Sequence, residues 1–234
     1  MCRSIIHLMI VVVGLAFEAR IAAGPGLRVI CSGDGRNLAA TIAREFSAGC
    51  PGLVSFGVAG GLAPELSSGS CVVASNVLSE EGNWTTDGDW SERMLSAVPG
   101  AVSGALIGVP APVARPEDKQ ALHRKTGAVA VDMESHIVAR MAAAFNVPFA
   151  AIRVITDPAK RALPRSALAG MRPDGTTNVA AVLRALVRRP ADLPALFQTA
   201  LDARTARAAL LRGRQLLGPG LGLADLRKLE LDVP

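Results

Sequence analysis

The stretch "FAAIRVITDP", residues 149–158, decides the fold class. Its first eight positions are apolar or β-branched except for Arg153, and a strand this apolar is covered on both faces, as in parallel or mixed sheets. Pro158 cannot donate to a strand ladder and disfavours a helical residue before it, so the strand is predicted to stop at Asp157. Arg153 is expected to pair with a buried carboxylate as structural support.

Similar apolar runs recur along the chain and alternate with helical patterns. The runs occupy residues 4–14, 28–32, 52–58, 70–78, 101–109, 128–131 and 148–156, and the helical patterns occupy 35–48, 116–126 and 132–146. This alternation predicts an α/β fold with a mixed, mostly parallel central β-sheet flanked by helices on both faces.

After residue 160 the pattern changes to a loop rich in Pro, Gly and basic residues, followed by helices predicted near 176–189, 191–213 and 222–230. No low-complexity linker separates these helices from the rest. The 234 residues are therefore predicted to form a single domain, 1–234, in which 186–234 is a basic C-terminal helical extension.

Composition restricts the function classes. The four cysteines stand singly and the three histidines are scattered, so neither a disulfide nor a metal site is expected. The formal net charge is +5, and residues 151–234 carry 14 Lys and Arg against 7 Asp and Glu. Because aromatic residues do not alternate with these charges and no nucleic-acid motif is present, the charges indicate solubility or contact with an anionic membrane rather than nucleic acid.

The first twenty residues, "MCRSIIHLMIVVVGLAFEAR", have one feature of a signal peptide, since Arg3 precedes an apolar run. His7 interrupts that run, which is shorter than the roughly 20 residues that span a bilayer. The run also continues directly into the charged residues Glu18 and Arg20. We interpret it as a buried first strand and expect a cytoplasmic protein.

Three acidic residues follow strands or open helices. Glu18 follows the first strand, and Asp157 ends another, so both are expected at the carboxyl-end crevice of the sheet. Glu134 lies three and four residues before Ile137 and Val138, which places it on the buried face of a helix. An ionised carboxylate there is costly unless it is paired or used. Each acid also has a plainer explanation: a turn at Asp157, a solvated helix residue at Glu18, or a helix dipole at Glu134.

Two other features near these acids are less specific. Asp132, preceding Met133, is predicted to cap the following helix. The segment 55–70, "SFGVAGGLAPELSSGS", contains closely spaced glycines, among them Gly60, that let a backbone approach a ligand, although it matches no nucleotide-binding motif.

Four blocks together resemble a known superfamily: "VGLAFEA", "SFGVAGGLAPELSSGSCVVAS", "VDMES" and "RVITDPA". Their order and spacing are similar to those of purine nucleoside phosphorylases and methylthioadenosine/S-adenosylhomocysteine nucleosidases. Within this superfamily, "FEARIA", "AVDMES" and the tail "RRPADLPALFQTALDARTARAALL" most closely resemble the hopanoid-associated phosphorylases, which are assigned to releasing adenine from adenosylhopane. The resemblance implies a mixed sheet flanked by helices, assembled as a homo-oligomer.

The resemblance also implies site roles. Asp157 would protonate the purine N7, Glu134 would bind the ribose hydroxyls with Met133 packed on the sugar, and Glu18 would handle the nucleophile. Thr156 replaces the Ser that relatives commonly carry before the catalytic Asp and keeps its hydroxyl.

The base and nucleophile subsites depart further from the relatives. Val113 stands in "VPAPVARPED", where relatives often place an aromatic residue that stacks on the base. No cofactor is implied, but inorganic phosphate can be a co-substrate. The expected phosphate-binding Arg is missing from "SFGVAGG", and Arg20 and Arg36 are the candidate replacements, so phosphate or water remains open as the nucleophile.

The tail resembles a basic amphipathic helix. Its apolar stripe, Leu193, Leu196, Phe197, Ala200 and Leu201, precedes Arg204, Arg207, Arg212 and Arg214. Such a helix can lie on the inner membrane face or pack on its own domain with solvated arginines. The leading expectation is adenine release from a lipid-linked nucleoside. The alternatives are the same chemistry on methylthioadenosine or S-adenosylhomocysteine, and a non-catalytic nucleoside-binding scaffold.

Overall fold

A computed structural model of the chain describes residues 8–32, 35, 37–170, 172 and 174–223. The strands are β1 (Met9–Val13), β2 (Leu27–Cys31), β3 (Leu53–Gly61), β4 (Cys71–Ser79), β5 (Gly82–Thr85), β6 (Val102–Gly108), β7 (Ala130–Asp132) and β8 (Phe149–Asp157). The helices are α1 (Ala16–Ala22), α2 (Leu38–Glu45), α3 (Gly88–Ala97), α4 (Pro116–Thr126), α5 (Ser135–Phe145), α6 (Arg165–Leu168), α7 (Val179–Arg188) and α8 (Leu193–Leu216). The predicted α/β fold with a mixed, mostly parallel sheet is confirmed.

The eight strands form one sheet, part of which closes on itself. β3 pairs with β8 in parallel, β8 with β4 antiparallel, β4 with β6 in parallel, β6 with β7 in parallel, and β7 with β3 antiparallel. β1 extends this ring beyond β3, with β2 at its outer side, and both pairings are parallel. Because β1, β3 and β8 run in the same direction, their carboxyl ends meet at one edge of the sheet.

Helices cover both faces of the sheet because its strands are apolar on both sides. In β1, Ile10 and Val12 pack on one side with α2 and α5, while Met9, Val11 and Val13 pack on the other. The second side is covered by α3 and by α8, whose Ala206 and Leu210 are fully buried there. The C-terminal half of α8 is therefore part of the domain's core.

The elements that were not predicted from the sequence include β5, α3 and the four-residue helix α6, which lies in the segment predicted as a loop. β5 has four residues in which exposed polar positions alternate with half-buried ones, so it lacks a strong apolar pattern. α3 does carry a start signal: Asp87 precedes it and accepts a hydrogen bond from Trp90 N at 2.9 Å. The predicted helix over 132–146 begins later than expected, since Asp132 still belongs to β7 and Glu134 precedes the first residue of α5.

Some predictions fall on residues that the structure leaves undescribed. These are the beginning of the first strand, residues 4–7, and the last part of the helix predicted over 222–230. Within the described residues, no helix combines the length and the apolar character needed to cross a bilayer.

Candidate active site

A pocket opens where the carboxyl ends of β1, β3 and β8 meet the start of α5. Glu18, Asp132, Glu134 and Asp157 line it, and all four are buried. The rest of the lining is mainly backbone and aliphatic side chains: Gly14, Leu15, Val58, Ala59, Gly60, Val109, Pro112, Val113, Val131, Met133, Thr156 and Leu163. The pocket thus combines an aliphatic wall with several carboxyl groups taken from distant parts of the chain.

Glu18 is held by the backbone around it. It lies in the first turn of α1 and is 1% exposed. Its Oε2 accepts hydrogen bonds from Gly14 N at 2.9 Å and Leu15 N at 2.7 Å, and its Oε1 accepts one from Val58 N at 2.7 Å. Burial raises the pKa of Glu18, while Arg153 and the three N–H donors oppose this rise. The carboxyl group is fixed in one orientation at the pocket floor.

Glu134 points into the pocket from the turn between β7 and α5. It is 7% exposed, and a Cβ placed on Gly14 would lie 2.7 Å from Glu134 Oε1, so a side chain at position 14 would displace the carboxyl group. Burial raises the pKa of Glu134 to about 8, with Asp132 and Glu18 adding to the rise and Arg153 opposing it. The side chain is inward, as the sequence suggested, but it precedes α5 instead of lying on its stripe.

Arg153 is the cation that holds this carboxyl cluster together, and its predicted pairing with a buried carboxylate is confirmed. It is fully buried, and its Nε donates to Asp132 Oδ2 at 2.6 Å. Its Nη2 donates to Ser55 Oγ at 2.6 Å and lies 3.5 Å from Glu134 Oε2. The predicted N-cap role of Asp132 is wrong, because Asp132 ends β7 and Glu134 is the N-cap of α5. Asp132 nevertheless accepts a hydrogen bond from Ser135 N, the first residue of α5, at 3.2 Å.

Asp157 forms a second ion pair on the other side of the pocket. Its Oδ2 accepts a hydrogen bond from Lys119 Nζ at 2.6 Å, and Thr156 Oγ1 lies 3.0 Å from its Oδ1. Burial raises the pKa of Asp157, while Lys119 and Thr156 oppose the rise. Lys119, on α4, is 0% exposed and was missed in the sequence.

The structure brings most of the predicted site residues together. Glu18, Glu134, Asp157, Met133, Gly60, Thr156 and Val113 all line the pocket. Arg20 does not: it is exposed on α1 and donates to Ala16 O at 3.3 Å. Arg36, the other candidate phosphate ligand, lies outside the described residues.

The ionisable side chains that line the pocket are all carboxyl groups. None of the described residues that line it is a Lys, Arg or His, since the charged groups of Arg153 and Lys119 lie behind the carboxylates they contact. An anion entering this space would meet carboxyl groups first, whereas a neutral or cationic group would be favoured.

The sequence of the chain is similar to one known family. A profile described as the phosphorylase superfamily matches residues 14–188. Searching the curated proteins gives no match.

Solved structures give many matches in fold. The S-adenosylhomocysteine nucleosidase of Streptococcus pyogenes superposes with a TM-score of 0.65 at 13% identity, covering 94% of this chain and 98% of that one. The 5′-methylthioadenosine/S-adenosylhomocysteine nucleosidase of Neisseria meningitidis gives 0.60 at 18% identity, covering 89% and 97%. A futalosine hydrolase mutant of Helicobacter pylori gives 0.56 at 16% identity, covering 64% and 88%.

Proposed function

The chain belongs to the phosphorylase superfamily, and from the geometry of its pocket we propose that it hydrolyses the N-glycosidic bond of an adenosine-type nucleoside and releases adenine. The observation that carries this proposal is the convergence of Glu18, Glu134 and Asp157 on one aliphatic-walled pocket. Each group meets one need of the reaction. Asp157 is an acid that can protonate the purine, Glu134 is an acceptor for the sugar hydroxyls, and Glu18 is a proton acceptor for the attacking water.

Asp157 is the proposed acid. A purine leaves more easily when its N7 is protonated as the bond to the sugar breaks, so the acid must hold a proton near neutral pH. Burial raises the pKa of Asp157 in the required direction. Its side chain is 11% exposed, and Asp157 lines the pocket directly.

Glu134 is the proposed sugar ligand. In the transition state the ribosyl group becomes cation-like, and a hydrogen bond from its hydroxyl to a carboxyl oxygen of Glu134 then strengthens, most of all when Glu134 is ionised. Met133, the preceding residue, also lines the pocket and supplies the apolar contact for the sugar ring.

Glu18 is the proposed base for the nucleophile, and we propose water as that nucleophile. Phosphate would need cationic ligands, and the described lining of the pocket provides carboxyl groups instead. The water oxygen forms a bond to the sugar C1′, its proton passes to Glu18, and the C1′–N9 electron pair leaves with the base that Asp157 has protonated. The products are adenine and the free sugar, and transfer of one proton through solvent from Glu18 to Asp157 restores both groups.

We further propose that the substrate carries a large apolar group on the ribose 5′ carbon, as in adenosylhopane. The resemblance of the tail to hopanoid-associated phosphorylases supports this, as does the aliphatic wall formed by Val109, Pro112, Val113 and Leu163. Methylthioadenosine or S-adenosylhomocysteine is the second candidate, because nucleosidases named for these substrates share the fold. The enzyme is proposed to be a cytoplasmic homo-oligomer.

The proposed membrane contact shifts from the basic end of α8 to α7 and the first turns of α8. Arg214 is half-buried and donates to Ala22 O and Gly218 O, so it serves the fold. By contrast, two stripes at four-residue spacing are exposed by 42–82%: Val179, Leu183 and Val187 on α7, and Leu193, Phe197 and Leu201 on α8.

We call these six exposed residues of the two helices the apolar face; exposed arginines lie on or beside the same helices at positions 184, 188, 189 and 204. An apolar face with a basic border suits an anionic bilayer. The segment before α7 also reaches the pocket, because Ala16 N donates to Gly175 O at 3.0 Å beside Leu15, a lining residue.

An adenine-release assay tests the catalytic proposal. The protein is incubated with adenosylhopane and with methylthioadenosine, each with and without phosphate, and free adenine and the sugar product are followed. We expect adenine and unphosphorylated sugar at a rate independent of phosphate, with adenosylhopane preferred. A phosphate-dependent rate with a sugar 1-phosphate product would refute hydrolysis, and adenine release from neither substrate would refute the proposed function.

A vesicle assay tests the membrane contact. The protein should sediment with phosphatidylglycerol vesicles more than with phosphatidylcholine vesicles, and a variant carrying Val187→Ser and Phe197→Ser should sediment less. Val102→Ser, at an exposed valine on β6, is the matched control. Equal sedimentation of the double variant and the wild type would remove the apolar face from the proposal.

A further inference from the structure

Lys119 is a buried lysine that the reaction described above does not use. Its side chain has no solvent exposure, although burying an ammonium group costs several kcal/mol unless it is fully paired. It also lies in the first turn of α4, where the positive end of the helix dipole disfavours a cation. Two unfavourable terms at one position require a compensating interaction.

That interaction is a set of four oxygen atoms around Nζ. Asp157 Oδ2 lies at 2.6 Å, the main-chain oxygens of Asp157 and Arg161 at 3.0 Å, and that of Pro158 at 3.2 Å. Of the three main-chain oxygens, one belongs to the last residue of β8 and two belong to the turn that follows it. Lys119 therefore fixes the turn and the carboxyl group together.

The geometry distinguishes the two carboxyl oxygens of Asp157. Oδ2 faces the ammonium group, which can only donate, so the acidic proton cannot lie on Oδ2 in that direction. Oδ1 lies 3.0 Å from Thr156 Oγ1, a hydroxyl that can either donate or accept. Of the two oxygens, Oδ1 is therefore the one that does not face the ammonium group and is better placed to carry the acidic proton.

We propose that Lys119 is a positioning residue that assigns the acidic proton of Asp157 to Oδ1 and stabilises the carboxylate that remains once this proton has passed to the base. The inference rests on the proposed function. Asp157 loses one proton to the purine, and the ammonium group of Lys119 keeps its protons. The ion pair between the two side chains therefore becomes stronger as the C1′–N9 bond breaks. Lys119 thus favours the state after proton transfer over the state before it.

The sign of the pH effect follows from the charges around Asp157. Lys119 is the cation that touches it, while the carboxyl groups of Glu18 and Glu134 share its pocket, and Arg161 and Asp202 pair at the far side of the turn. Lys119 lowers the pKa of Asp157 against the effect of burial. Removing its charge should raise that pKa, which shifts the alkaline limb of kcat/KM upwards by about 1–3 pH units and makes Asp157 a weaker acid.

The experiment compares Lys119→Met and Lys119→Gln with Lys125→Met, at an exposed lysine on the same helix. The variants at 119 should lose at least tenfold in kcat/KM and show the shifted alkaline limb, whereas Lys125→Met should match the wild type. Only variants whose circular dichroism spectrum matches that of the wild type, and which are therefore folded, are used for pH profiles. If both variants at 119 lose their fold while Asp157→Asn keeps it, Lys119 serves folding alone and the proposal is overturned.

A double-mutant cycle with Asp157→Asn separates positioning from general support. If Lys119 acts through Asp157, Lys119→Met should cause no further loss of kcat/KM in the Asp157→Asn background. A full additional loss, or an unchanged alkaline limb, would overturn the inference. Different results would refute the proposed function itself: a wild-type protein that releases no adenine, or an Asp157→Asn variant that is as active as the wild type.

Discussion

Replacing Glu134 with Gln should remove a pH-dependent contribution to the free energy of unfolding, which comes from ionising a buried carboxyl group. Burial raises the pKa of Glu134 from an ordinary value of 4.5 to about 8. Between these values the folded protein holds a proton that the unfolded chain has lost, so the free energy of unfolding falls as the pH rises. The stability linked to the protonated group is fully present below about pH 4.5 and is lost as the pH rises through about 8.

The magnitude follows from the linkage relation. One proton held only by the folded state corresponds to about 1.4 kcal/mol for each pH unit. The folded protein has lost about half of this proton at pH 8, so from pH 6 to pH 8 the unfolding free energy of Glu134→Gln should rise relative to the wild type by about 2 kcal/mol.

Urea unfolding followed by circular dichroism at several pH values measures this difference. Glu65→Gln, at an exposed glutamate, is the control, and its difference from the wild type should not change with pH. A wild-type minus Glu134→Gln difference that stays constant from pH 6 to pH 8 would refute the reasoning. That result would mean that Arg153, which lies 3.5 Å from Glu134, keeps the carboxyl group ionised in spite of burial.

Three further predictions test other parts of the site. Glu18→Gln should lower kcat for adenine release by about 10²–10⁴-fold, because it removes the base for water; a stopped assay with purified variant measures this, and an unchanged kcat would contradict the role. Gly57→Ala should lower activity and displace the side chains of Glu18 and Arg153, because a Cβ at position 57 would lie 2.5 Å from Glu18 Oε1 and 2.7 Å from Arg153 Nη1. A crystal structure of the variant with both side chains in their wild-type positions would contradict this. Trp90→Phe should destabilise the fold by about 1–3 kcal/mol in urea unfolding, because it leaves Leu221 O without the indole donor at 2.9 Å, and an unchanged midpoint would show that another donor replaces it.

The sequence was most informative where local chemistry has one structural outcome. The Asp-Pro pair ended β8 at Asp157 as predicted, and the apolar runs located seven of the eight strands. A run that is apolar throughout can hardly be placed anywhere except inside a sheet covered on both faces. The crevice shared by Glu18 and Asp157 followed from the rule that parallel strands meet at their carboxyl ends.

Residues that depend on how distant segments meet were harder to predict. Lys119 looks like an ordinary polar residue of α4, and nothing in its neighbours shows that the turn after β8 surrounds it. Its one signal is a lysine in the first turn of a helix, which opposes the dipole. Glu134 was expected on a helical stripe, but a tight turn after β7 directs it inward before α5 begins.

The unequal numbers of acids and bases behind the pocket floor have a consequence for inhibitor design. Arg153 interacts electrostatically with Asp132, Glu134 and Glu18, so three potential negative charges face one permanent positive charge. A sugar mimic with a protonated ring nitrogen would supply the missing counter-charge. Such a compound should gain affinity as the medium becomes more alkaline, up to the point where its own nitrogen loses its proton.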